Sequence, residues 1–149
     1  VYDANLVEPL AGVLRELGTE HSFIVHGAGG LDEFSTLGPN KVAEVVDREV
    51  RVYQLDPRDL GIPCASLGDL SGGTPEENAE VTWRILRGEK GPRRDVTLLN
   101  AAAALVAGGK ARDLREGLVI ASDSIDSGEA ARKLAEFVDF TKSVARNGC

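Results

Sequence analysis

The sequence predicts an α/β fold, and three observations carry that prediction. His21–His26 (His-Ser-Phe-Ile-Val-His) is an apolar, β-branched run of strand length. Lys41–Val46 and Glu49–Leu55 are two further β-rich runs, parted only by Asp47 and Arg48 at hairpin spacing. From Thr74 to the end, by contrast, apolar residues recur at helical spacing, with helix starts and stops in the expected places. At 149 residues this is one domain's worth of chain, long enough to bury a core.

Each element has its own justification. Leu6, Leu10, Val13, Leu14 and Leu17 share one helical face, and Gly18 stops it. Pro9 places the start of the regular helix near itself, with Glu8 or Asn5 as cap. Asp47-Arg48 is a poor pair for a primed turn, so the register of the hairpin is open at this level. Residues 57–73 are rich in Gly, Pro, Asp and Ser and read as irregular. Thr74-Pro75-Glu76-Glu77 is a strong helix start. The threonine caps, the proline takes the first helical position and Glu77 completes a capping box. That helix runs to about Arg87 and ends at Gly88.

A second helix spans about Arg93–Val106. From Val96 onward it is apolar except at Thr97 and Asn100, and a helix apolar all round needs burial all round. Amphipathic helices near Leu114–Asp126 and Glu129–Val144 follow, separated by Ser127-Gly128. The inventory is about three strands and four to five helices. Three strands cannot cover such a central helix, so further strands are expected upstream of Val1. The chain also contains no Met, which supports reading it as a piece of a longer protein.

Composition narrows the function. The formal charge is −7 with acidic and basic residues interleaved, so no basic stripe offers a nucleic-acid surface. No signal-type segment opens the chain, and no apolar run approaches the ~20 residues of a membrane span. A soluble, cytoplasmic parent is expected, without membrane or nucleic-acid partners. Cys64 and Cys149 lack metal-ligand or redox spacing and are expected to be free thiols.

The functional signal lies at His26–Phe34, His-Gly-Ala-Gly-Gly-Leu-Asp-Glu-Phe. Asp32 and Glu33 are adjacent carboxylates on a glycine-rich bend after a strand. Such a pair can face one cavity and hold Mg²⁺ bound to a substrate phosphate; from spacing alone a solvated loop pair is the simpler reading, since Asp and Glu are mostly exposed. A dinucleotide cradle is rejected, because the glycines do not open a helix: residues 31–39 end in Gly38-Pro39. Ser71-Gly72-Gly73-Thr74 precedes a helix and could meet an anion, but a loop ended by a cap is simpler. His21 and His26 fall on opposite strand faces and make a poor metal pair. Asn100 reads as a buried amide satisfied by nearby backbone, and Trp83 as core or partly buried surface.

Gly30-Leu31-Asp32-Glu33 after a Val-His-Gly strand end resembles the metal-binding segment of anthranilate phosphoribosyltransferases. Colinear matches follow at Lys41-Val42-Ala43-Glu44, Ser71-Gly72-Gly73 and Glu76-Glu77-Asn78-Ala79. Others are Gly88-Glu89-Lys90-Gly91-Pro92, Arg94-Asp95, Leu98–Leu105, Ile125-Asp126-Ser127-Gly128 and Phe140-Thr141-Lys142. The resemblance runs from about Val1 to Lys142 and covers the second part of such an enzyme.

It implies an incomplete portion of the nucleoside phosphorylase/phosphoribosyltransferase-type α/β domain, lacking the N-terminal helical domain and the first part of the sheet. The family's Gly-Thr-Gly-Gly-Asp pyrophosphate loop is absent from these residues. The implied activity is transfer of 5-phosphoribosyl from phosphoribosyl pyrophosphate to the anthranilate amino group, in tryptophan biosynthesis, by a homodimer. Asp32 and Glu33 would bind Mg²⁺, directly or through its waters, with Glu33 able to serve both metals of a two-metal site. No catalytic base or substrate-specificity residue is expected in this stretch, and the chain alone is expected to be inactive. A pyrimidine-nucleoside-phosphorylase-like enzyme of related fold, or a non-catalytic phosphate- or metal-binding paralogue, is the alternative. Upstream substrate residues would separate the first, and the upstream glycine loop the second.

Overall fold

A computed structural model of the chain describes residues 1–147. Cys149 lies outside the described residues, whereas Cys64 is an exposed free thiol. The elements run α1 (Val7–Glu16), β1 (His21–His26), β2 (Asn40–Val46), β3 (Glu49–Leu55), α2 (Leu67–Leu70), α3 (Pro75–Leu86), α4 (Pro92–Ala107), α5 (Leu114–Asp126) and α6 (Glu129–Asn147). The three strands form an antiparallel sheet in the order β1-β2-β3, with His21 opposite Val46 and Val46 opposite Glu49.

Strand alternation divides the core into two layers. Ile24, Ala43 and Val45 face α1 and pack on Val7 and Ala11. Val25 and Val42 face the other way, onto Leu99 and Ala103 of α4, with Phe34 and Ile62 completing the cluster. Helix α5 lies against α4, where Gly117 makes the approach possible: a Cβ there would sit 2.8 Å from the Ala102 carbonyl oxygen. Arg94, buried in α4, ties the pair by ion pairing with Asp126 at 2.9 Å. Hydrogen bonds from Arg94, ahead of those from Lys90 and Ser122, hold the Asp126 carboxyl down to about 2. That contribution to stability is complete above the ordinary carboxylate range and is lost as pH falls toward 2.

Several boundaries differ from the sequence expectation for identifiable reasons. Helix α1 begins at Val7, ahead of Pro9, because proline in a first turn forfeits no intrahelical bond. Neither Glu8 nor Asn5 caps it: Leu6 takes the cap position without a side-chain bond, and Asp3, accepting from the Asn5 N–H, opens the short 3₁₀ turn before it. The hairpin turn falls at Asp47-Arg48 as its spacing predicts, and both residues adopt positive φ, 50° and 68°, so a primed turn forms despite unfavourable residues. The flanking strand pairing imposes it. Residues 57–73 contain two short helices, the second capped reciprocally by Ser66 and Asp69. As expected from only three strands, the described residues leave α4 partly uncovered. Leu99, Ala102, Ala103 and Val106 are buried, while Ala104 is exposed.

Candidate functional site

The site is built on the chain that leaves β1. Gly27 N–H donates to the Leu31 carbonyl at 2.8 Å and Gly30 N–H to the Gly27 carbonyl at 3.1 Å, closing a tight loop. Gly29 and Gly30 turn it with φ of 82° and 81°, a region that favours glycine. Gly27 serves a different need. A Cβ there would lie 2.3 Å from the Glu33 carbonyl oxygen, so only a residue without a side chain lets the returning strand pass. No helix opens on these glycines, in keeping with rejection of a dinucleotide cradle.

Asp32 and Glu33 sit on the returning limb and are exposed. Both line one cleft of about 500 Å³, walled by Leu10, Val13 and Leu14 of α1 and by Asn100, Ala103 and Ala107 of α4. Among the described residues neither carboxylate forms an ion pair. No group of three or more His, Cys, Asp or Glu side chains is assembled there or elsewhere among the described residues. Two hard oxygen donors on the wall of a cleft suit Mg²⁺, which keeps several waters and takes further oxygens from a phosphate.

Directly after the carboxylates the backbone is pinned twice. Phe34 N–H donates to Asn100 Oδ1 at 3.0 Å, and Asn100 Nδ2 donates back to the Phe34 carbonyl at 2.8 Å. Ser35 N–H donates to Asn40 Oδ1 at 2.7 Å, and Asn40 Nδ2 donates to the Ser35 carbonyl at 3.0 Å. Asn40 is wholly buried and also reaches the Gly38 and Leu55 carbonyls. Asn100 therefore finds the backbone partner expected of it, although it is half-buried at the cleft rather than buried. Asn40 was not visible as a site residue. Its signal was an amide closing the turn-rich run Ser35–Pro39, a position from which Asn often bonds its own loop.

The remaining candidates separate cleanly. His21 Nε2 lies 2.9 Å from Glu44, which also accepts from the Tyr53 hydroxyl at 3.2 Å. Burial, with Glu44 beside it, pushes the Tyr53 phenol well above its ordinary range. His26 Nδ1 meets the Val1 carbonyl at 3.0 Å on the opposite face of the sheet. Ser71, Gly72, Gly73 and Thr74 are all exposed, and Thr74 caps α3 by accepting from Glu77 N–H. Trp83 is half-buried on α3. No described helix is long and apolar enough to cross a membrane.

The order of these elements and of their motifs agrees with a single sequence family, whose model matches residues 1–131. The chain belongs to the glycosyl transferase family, a/b domain. It is 54% identical over 145 residues to the anthranilate phosphoribosyltransferase of Pelotomaculum thermopropionicum, covering 97% of this chain and 42% of that protein. The Symbiobacterium thermophilum enzyme of the same name is 52% identical over 95% of this chain and 41% of its own length. The crystal structure of anthranilate phosphoribosyltransferase from Thermus thermophilus superposes with a TM-score of 0.86 at 40% identity, over 95% of this chain and 42% of that one. The Saccharomyces cerevisiae enzyme in complex with PRPP and Mg gives 0.83 at 29% identity, over 96% and 42%. The chain thus spans about two fifths of the length of these family members.

Proposed function

We propose that this chain is the C-terminal part of the α/β domain of an anthranilate phosphoribosyltransferase, a cytoplasmic homodimer, and that Asp32 and Glu33 hold its Mg²⁺. The observation that carries the reading is the pair of carboxylates, free of ion pairs among the described residues, on the wall of one cleft beyond β1. Open α/β sheets place ligands at that edge. The relatives support the substrates, phosphoribosyl pyrophosphate and anthranilate, since the yeast enzyme binds PRPP and Mg and, in another crystal, 4-fluoroanthranilate. Bound there, Mg²⁺ supplies counter-charge to the departing pyrophosphate. Asp32 and Glu33 contribute two oxygen donors directly or through water, and the pinned backbone behind them limits their movement.

In the intact enzyme, Asp32→Asn with Glu33→Gln is expected to lower turnover at limiting Mg²⁺ by on the order of 10²-fold. Thermal stability is expected to stay within about 0.5 kcal/mol, because both side chains are exposed. Rates against Mg²⁺ concentration, with melts alongside, measure both. Unchanged rates at limiting Mg²⁺ reject the assignment.

The partial-domain reading rests on β1, which among the described residues has a hydrogen-bonded neighbour on one side only, and on the largely apolar wall of the cleft beside it. Leu10 and Val13 stay partly exposed on that wall, and each such side chain forfeits up to roughly 1.5–3 kcal/mol of burial. The isolated 149-residue chain is therefore expected to self-associate and bind hydrophobic dye, without forming phosphoribosyl anthranilate. Light scattering after size exclusion and an activity assay check this; a dye-silent monomer counts against it.

A further inference from the structure

We infer that Asn100 is a positioning residue for the Asp32–Glu33 carboxylates: through its side-chain amide it sets the backbone of the bend that aims them into the cleft. The inference rests on the metal reading above for its consequence in catalysis, and on geometry alone for its effect on the bend. Phe34 follows Glu33 directly, so the residue that Asn100 grips on both its N–H and its carbonyl side is covalently next to the carboxylates. One bond would leave that residue free to pivot, whereas a reciprocal pair fixes place and orientation together.

The amide has nothing to spare for a ligand's acceptor. One Nδ2 proton goes to the Phe34 carbonyl, the other to the Val96 carbonyl at 3.0 Å, one turn back in α4. The Val96 bond holds the side chain over its own helix. The three bonds together also fix which end of the amide is oxygen, since a flipped amide would set carbonyl against carbonyl. Asn100 lines the cleft, yet it is committed to the chain behind the carboxylates. The anchor is rigid as well as distant: α4 carries buried Leu99 and Ala103 on either side of Asn100, packed in the same cluster as Phe34.

The test compares three variants of the intact enzyme. Asn100→Ala removes all three bonds. Asn100→Asp keeps the acceptor for Phe34 N–H and sets an oxygen against the Phe34 and Val96 carbonyls. Val106→Ala is a core truncation in the same helix that leaves the bend's bonds intact. Losing a group that orients a metal's ligands costs roughly 10–100-fold in metal affinity or activity. Asn100→Ala is accordingly expected to raise the half-saturating Mg²⁺ concentration about 10-fold, with kcat at saturating Mg²⁺ within about threefold of wild type and Asn100→Asp intermediate. Exchange of the Phe34 amide hydrogen should accelerate about 10-fold in Asn100→Ala and not in Val106→Ala.

A Phe34 exchange rate and Mg²⁺ response equal to those of Val106→Ala overturn the inference, since stability alone would then explain any loss. If Asn100→Ala does not fold, Asn100→Asp decides by the same two readouts. If Asp32→Asn with Glu33→Gln leaves the Mg²⁺ response unchanged, the metal reading falls. Phe34 exchange then still decides whether Asn100 sets the bend.

Discussion

Two glycine-containing loops in this chain use one device and obtain different results from it. In the bend after β1, a side-chain amide grips both the N–H and the carbonyl of Phe34, and the amide comes from Asn100, 66 residues away. In the loop before α3, Asn78 grips Gly73 in the same reciprocal way, accepting at 2.9 Å and donating at 3.1 Å, from only five residues away. The first loop runs into a buried segment, Phe34, Ser35, Thr36 and Asn40. The second is exposed along its whole length, as is Asn78.

Partner and burial, rather than the bond itself, set what the device does. A local amide in water competes with solvent and fixes only its own loop, whereas a distant amide in a packed helix locks one element to another. This separates a bend able to present charged side chains reproducibly from a helix cap.

The sharpest way to break the comparison is Asn40→Ala. It strips the buried Ser35 N–H and the Ser35, Gly38 and Leu55 carbonyls of a partner at once. With unsatisfied buried groups costing ~1–3 kcal/mol each, a loss of about 2–4 kcal/mol is expected in the domain's unfolding free energy. A loss under about 1 kcal/mol would place the two loops in one class.

Gly27→Ala is next, at about 1–3 kcal/mol, because its Cβ meets the Glu33 carbonyl at 2.3 Å and backbone cannot move aside cheaply. It should also speed exchange of the Phe34 amide, which a purely local strain at Gly27 would leave unchanged. The smallest effect is expected from Asn78→Ala, within about 0.5 kcal/mol by the same unfolding measurement, since water replaces the exposed amide. A larger cost would mean that the exposed loop is held as firmly as the bend.

How much of this was legible in the sequence follows from the range of each interaction. Helix α3 was readable to within a residue, because Thr74, Pro75 and Glu77 cap it by contacts three residues apart. Strand β1 was equally clear from its own apolar run. So was the stop of α1 just before Gly18, while the adjacency of Asp32 and Glu33 was written in the sequence and their shared cleft was not. The place of the turn at Asp47-Arg48 was legible from hairpin spacing, but its register was not, since the positive φ values come from pairing along β2 and β3 rather than from residue preference.

The pinning of the bend was harder still. An Asn in an apolar helix announces an amide bonded to backbone, but neither that it stays half-buried nor that its partner is Phe34. Asn40 announced even less, being one polar residue at the end of a turn. By itself the sequence determined which residues carry charge, which segments coil or extend, and which family the order of motifs belongs to. Only the tertiary structure decided which amide meets which peptide, because a hydrogen bond across 66 residues depends on how the sheet and α4 pack.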